Sequence, residues 1–192
     1  MKKYFTSDWH LNETRIKDFN PFFRPFETVE EQNKTIIDNM NKFVKKDDLL
    51  YVLGDVAMDE QGVSLLEKIN CENRILIAGN YDTDKLDKLK KYFKEVREDM
   101  NVKVGDLDCY LNHYPTKYVD DRFNITGHIH GLWKVKPNMV NVGVDAWHFR
   151  PVSEDEIKFV HNAITKGYYD DNVFVYCKKQ NETSTYQGKT AS

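Results

Sequence analysis

The sequence predicts an α/β layered fold, on three observations. Short apolar runs alternate with amphipathic helical stretches over most of the chain, the pattern of strands covered by helices. Two helix starts carry capping boxes, Thr28-Val29-Glu30-Glu31 and Ser153-Glu154-Asp155-Glu156, in which a hydroxyl and a carboxylate satisfy the first free N–H groups. Five of the apolar runs stop at a residue able to bind a metal, and open α/β sheets place their ligands just beyond the carboxyl ends of strands.

In chain order, a first strand over residues 2–7 runs into Ser7-Asp8-Trp9-His10. A helix starts near Thr28; Val29, Ile36, Ile37, Met40, Phe43 and Val44 follow the 3.6-residue period and give it one apolar face. The run Leu49-Leu50-Tyr51-Val52-Leu53 leads into Gly54-Asp55. A second helix is expected over residues 60–69, with Leu65, Leu66 and Ile69 inward. Ile75-Leu76-Ile77-Ala78 leads into Gly79-Asn80-Tyr81-Asp82, and a third helix is expected over 83–93, its charges forming a solvated face. From 95 to 145 short extended segments turn at Gly105, Gly127, Gly131 and Pro137. Among them, Cys109-Tyr110-Leu111 ends at Asn112-His113, and Phe123-Asn124-Ile125-Thr126 ends at Gly127-His128-Ile129-His130. The Ser153 box opens a helix to about Ile164, and Val173-Phe174-Val175-Tyr176 suits an edge strand. Residues 178–192 are polar without periodicity, so one domain over 1–178 and a loose tail over 179–192 are expected.

A chain of 192 residues can bury a real core. With 40% hydrophobic and 31% charged residues it is neither a disordered nor a membrane chain, and no apolar stretch approaches spanning length. A net charge of −3 supplies no global field to draw nucleic acid or anionic lipid. Cys71, Cys109 and Cys177 are odd in number and lack a CxxC pair, which suits reduced thiols in a cytoplasmic protein. Asp8 and His10 interrupt any apolar region after Met1-Lys2-Lys3, so no signal peptide is expected. Composition leaves the oligomeric state open.

Taken singly, each candidate ligand has an ordinary structural reading. GD after an apolar run is commonly a turn with an Asp side-chain cap, GN a left-handed turn, Asp8 a helix cap, and His113 or His161 a packed or surface histidine. Jointly the pattern changes meaning. Four of the six histidines fall at these strand ends, beside the aspartates and the asparagine that a hard-to-borderline divalent cation prefers. His128 and His130, at i and i+2, can aim both rings into one cleft.

On these residues, together with Arg24-Pro25-Phe26, His113-Tyr114-Pro115 and Val142-Gly143-Val144-Asp145-Ala146-Trp147, the chain resembles the calcineurin-like metallophosphoesterases, and within them a small single-domain subgroup of bacteria and phages. The match runs from residue 4 to about residue 153 with five metal motifs in the family's order. The resemblance implies central β-sheets flanked by helices, with a site for two divalent ions (Mn²⁺, Fe²⁺, Zn²⁺ or Ni²⁺) at the strand C-terminal ends. One ion would be held by Asp8, His10, Asp55 and His130, the other by Asp55, Asn80, His113 and His128, with Asp55 shared. It implies attack on phosphorus by a metal-bridging hydroxide, with His128 helping to spread charge on the phosphoryl oxygens.

Two positions depart from the family pattern. Where most members carry a His after the GN asparagine, credited with protonating the leaving oxygen, this chain has Tyr81; the phenol is either a weak proton donor or a packing residue. Glu13 stands where the subgroup usually has a further His, on the substrate side. Arg24 suits either a bidentate phosphate contact or a surface charge at the start of a helix. Trp147 and His148 either reach the cleft, where an aromatic can stack on a base, or form its rim. The expected activity is hydrolysis of a phosphodiester or phosphomonoester, on a small, nucleotide-like substrate. The alternatives are a nuclease or RNA end-processing enzyme, which needs a basic track into the cleft, and a non-catalytic scaffold, against which stand seven intact ligand positions. Because residues 180–192 carry one aromatic, Tyr186, and little apolar surface, a protein ending at Lys179 should keep its melting temperature and activity; a large loss of either in thermal and kinetic assays would show that the tail docks.

Overall fold

Strand β1 (Lys3–Thr6) opens a first sheet in the computed structural model, which describes residues 1–15, 18 and 23–167. It pairs in parallel with β2 (Leu49–Val52), which pairs in parallel with β3 (Asn73–Ile77), which pairs in parallel with β4 (Glu95–Arg97). A second sheet is built from the later segments: β5 (Asp99–Val104), β6 (Leu107–Asn112), β7 (Phe123–Thr126), β8 (Val135–Lys136) and β9 (Met139–Asn141), in the order β5-β6-β7-β9-β8. Its β6-β7 and β7-β9 pairs are parallel. β10 (Val152–Ser153) returns to close the first sheet antiparallel to β1. The result is a mixed α/β fold of two sheets flanked by helices.

Alternation along the first sheet explains the layers. Tyr4, Leu50, Val52 and Leu76 point to one face and join Ile36, Ile37 and Met40 of helix α1 (Val29–Phe43) in one buried cluster. Phe5, Tyr51, Leu53 and Ile77 point to the other face. There they meet Cys109, Leu111, Phe123, Ile125 and Val140 of the second sheet. Helix α4 (Glu154–Thr165) adds Ile157 and Val160 to this second cluster. A period of two puts successive side chains on opposite faces, so strands apolar at nearly every position are buried on both sides. Phe5 stacks on Tyr51 with ring centroids 5.1 Å apart, within the intersheet layer.

The helices start largely where the sequence places them. Thr28 accepts from the Glu31 backbone N–H at 3.1 Å, but the Glu31 carboxylate accepts from Glu27 rather than closing the box on Thr28. At Ser153 both arms close. The helix expected over 60–69 divides into α2 (Glu60–Ser64), capped by Asp59, and a 3₁₀ segment over Leu65–Lys68. The helix expected over 83–93 shortens to α3 (Leu86–Leu89). Residues 80–85 are turns, because the Asp82 side chain is tied back to the loops beneath it. The expected edge strand at 173–176, Cys177 and the tail lie outside the described residues. Cys71 and Cys109 are buried and unpaired with each other. No helix among the described residues is long and apolar enough to cross a membrane.

The closed Ser153 box anchors the helix that seals the intersheet core. Ser153→Ala should therefore cost about 1 kcal/mol, read as a lower urea midpoint at unchanged slope.

Candidate metal centre

Strands β1, β2, β3, β6 and β7 deliver their C-terminal ends to one side of the molecule, and the loops there are stitched together by backbone hydrogen bonds. Asp8 N–H donates to the Gly54 carbonyl at 3.0 Å and His10 N–H to the Asp55 carbonyl at 2.9 Å. The Asp82 carboxylate accepts from the backbone N–H groups of Asp55, Val56 and Gly79 at 2.8–2.9 Å. The loops approach so closely that two positions admit only glycine. A Cβ on Gly54, whose φ is +86°, would lie 2.5 Å from His113 Nδ1. One on Gly79 would lie 2.3 Å from Asp55 Oδ1.

Six of the seven side chains singled out from the sequence converge as two groups of donors. Asp8, His10 and His130 form one, and Asp55, His113 and His128 the other; within each, one donor atom per residue lies within 4.8 Å of the rest. Asp55 Oδ2 stands between the groups, 3.5 Å from His10 Nε2 and 3.4 Å from His113 Nε2. The seventh, Asn80, brings Oδ1 to 3.3 Å from His113 Nε2. His113 is buried and its Nδ1 donates to the Leu53 carbonyl at 2.6 Å, which in the neutral ring leaves Nε2 with the lone pair. His128 is exposed at the mouth, and its backbone N–H donates to both oxygens of Asp8.

Three observations fit these residues to divalent cations. Both ring nitrogens of His10 are buried with no hydrogen-bond partner among the described residues; leaving such a group unsatisfied costs about 1–3 kcal/mol, a cost that coordination removes. Among the described residues, nine non-glycine residues have left-handed backbones, and five of them are Asp8, His10, Asp55, His128 and His130. Each such conformation costs on the order of 1–3 kcal/mol and persists where the surroundings impose it. The electrostatics are also unbalanced. Burial pushes the Asp8 carboxyl up to about 6, against the pull of His113 and His130. Burial and then the Arg24 charge take His10 down to about 3. Burial also works against charge on His113, yet its hydrogen bond to Asp55 and the Asp8 charge lift it to about 9. Carboxylates stripped of water beside imidazoles competing for protons are the environment that a cation stabilises.

The other expected residues take different places. Arg24 is fully buried, and its guanidinium is engaged by Asp145 and by the carbonyls of Asp8 and Trp9; it is neither a surface charge nor left with a fork to offer a phosphate. Trp147 is 5% exposed, packs in the intersheet core and donates its indole N–H to the Asn141 carbonyl at 2.7 Å, so it is not an open stacking platform. His148 is exposed. Tyr81 sets its ring edge-to-face on His10, with centroids 4.9 Å apart, and donates its backbone N–H to Asp55 Oδ1. Glu13 is buried and grips Arg15, accepting from its Nε at 3.0 Å and its Nη2 at 2.9 Å. The Arg15 side chain is about half exposed. Sequence reasoning gave no role to Asp82, Asp145 or Arg15. Asp82 carried a signal, an Asp three residues after Gly79 in a turn; the other two carried none beyond their place in motifs.

No family model matches this chain. Against the uncharacterized protein MJ1445 of Methanocaldococcus jannaschii it is 31% identical over 170 residues, 81% of this chain and 89% of that protein. The chain belongs to the same family as that protein. The crystal structure of AQ665, a protein of unknown function from Aquifex aeolicus, superposes with a TM-score of 0.67 at 26% identity, covering 82% of this chain and 97% of that one. More loosely, Vacuolar Protein Sorting 29 of Cryptosporidium parvum superposes with a TM-score of 0.41 at 16% identity, over 72% of each chain.

If the two donor groups take up cations, metal should stabilise the fold. Adding Mn²⁺ to chelated protein at about 100 times its dissociation constant should contribute about 2.7 kcal/mol per site, seen as a higher melting temperature. His128→Ala, which removes an exposed donor of the second group, should shrink that shift while the circular dichroism spectrum stays as in the parent protein.

Proposed function

We propose that this protein is a metal-dependent phosphoesterase with a dinuclear centre, acting on a small, nucleotide-like phosphodiester or phosphomonoester. The observation that carries the reading is the shared position of Asp55 between two donor groups. A carboxylate so placed can serve two cations at the close spacing that phosphoryl transfer uses. Asp8, His10, Asp55 and His130 would hold one ion; Asp55, Asn80, His113 and His128 the other. Such ions, of the Mn²⁺, Fe²⁺, Zn²⁺ or Ni²⁺ type that this donor set suits, lower the pKa of water to supply a nucleophile at neutral pH and neutralise charge on phosphoryl oxygens.

The chain's own residues bind and orient. The Ser7 hydroxyl, beside Gly127, is buried and donates to the Leu53 carbonyl at 2.5 Å, so it is held away from nucleophilic work. His128 and Asn80 are exposed and are the members of the centre that reach a phosphoryl oxygen first. Tyr81, packed on His10 and half-exposed, would offer its phenol as the donor to a leaving oxygen. Arg15, paired with the buried Glu13 carboxylate and half exposed, is close enough to Tyr81 to feel its charge and would be a contact for substrate charge in the place of Arg24.

Assaying the purified protein with Mn²⁺ on a panel of phosphodiesters and phosphomonoesters tests the reading. Asp55→Asn should lower kcat/KM by more than about 100-fold, beyond what substitutions outside the ligand set usually cost. Hydrolysis that survives both thorough chelation and this substitution would overturn it. Within the same panel Tyr81→Phe should slow esters with poor leaving groups, by up to about 10²–10⁴-fold, and spare nitrophenyl esters.

A further inference from the structure

Arg24 and Asp145, far apart in sequence, form a buried ion pair, and both ends of it act on one donor group. Arg24 Nε donates to Asp145 Oδ1 at 2.7 Å and Nη2 to Oδ2 at 2.9 Å, with both side chains at 0% exposure. The guanidinium also donates through Nη1 to the Trp9 carbonyl at 3.0 Å and through Nη2 to the Asp8 carbonyl. It thereby fixes the left-handed turn that carries Asp8 and His10. On the other side, Asp145 Oδ2 accepts from His130 Nδ1 at 3.1 Å. That bond sets the ring's rotation and, with Nδ1 as donor, keeps the lone pair on Nε2. Asp8, the backbone leading to His10, and the His130 ring are thus held by this one pair.

Apart from the His128 backbone N–H, which donates to Asp8, the second group is oriented by other means. His113 leans on the Leu53 carbonyl, and the Asp55 and Asn80 loops are tied by Asp82. The ion pair also has an electrostatic duty. A guanidinium this close would repel a cation held by Asp8 and His10, and the Asp145 carboxylate cancels that charge at hydrogen-bond distance.

Resting on the two-ion reading above, we infer that Arg24 and Asp145 are positioning residues that set the cation affinity of the Asp8–His10–His130 group, and leave that of the Asp55–His113–His128 group nearly unchanged. Carboxylate partners of ligating histidines typically contribute about 10–100-fold in metal affinity. Replacing Asp145 adds to this the exposed repulsion of Arg24.

Mn²⁺ titration of the full chain, followed by calorimetry and by electron paramagnetic resonance, tests the inference without recourse to activity. The wild type should take up two ions and show the spectrum of an interacting Mn²⁺ pair. Folded Asp145→Asn should bind one ion with near wild-type affinity and the other about 10–100-fold more weakly. Its spectrum should revert to that of isolated Mn²⁺ at concentrations that fill the wild type. Should the lone buried guanidinium keep Asp145→Asn from folding, Arg24→Met combined with Asp145→Asn removes both charges, and the same selective loss is expected. Two ions bound at wild-type affinity in a folded variant, or equal weakening of both, would overturn the inference. A wild type that takes up fewer than two ions would overturn instead the two-ion reading on which it rests.

Discussion

One buried carboxylate holds the centre in register. Asp82 accepts hydrogen bonds from the backbone N–H groups of Asp55, Val56 and Gly79, joining the loop after β2 to the loop after β3. Those N–H groups belong to tight loops where no ladder partner is available, and a buried donor must find one. Meeting all three with one side chain brings Gly54 and Gly79 together so closely that neither position has room for a Cβ. The closeness in turn sets Asp55 within reach of both His10 and His113. The shortened α3 belongs to the same constraint, since residues committed to the Asp82 turn cannot also continue a helix.

The two cores make such a centre tolerable. Buried clusters lie on both faces of the first sheet, so the strands feeding the loops are fixed before the loops are considered. Against that frame the centre collects costs: five left-handed backbones among the candidate ligands, a His10 ring without partners, and an Asp8 carboxyl whose burial opposes its charge. Strain and desolvation concentrated in one place, inside an otherwise regular fold, are the pattern that functional sites show. The Arg24–Asp145 pair belongs with these costs. Burial works against the Asp145 charge, but Arg24 and His130 hold its carboxyl down at about 2, so its charge persists where solvent cannot reach.

Much of this was legible in the sequence, because strand ends and metal-ligand residue types are local signals. The sequence by itself determined the alternation of strands and helices, the start of α1 and α4, and the seven side chains that meet at the centre, since each depends on a short stretch of chain: an apolar run, a capping residue, a turn glycine beside a ligand. Only the tertiary structure decided what the same residue types do when burial and partners are known. Arg24 and Arg15 read alike as text, yet one is sealed against Asp145 and the other is held out by Glu13. Trp147 became core because the segment after β9 packs it between the sheets, and Asp145 found its buried partner in an arginine far away in sequence. Periodicity and motif spacing report on neighbours along the chain; the charge balance, desolvation and hydrogen-bond partners of a buried group are set by residues that only folding brings near.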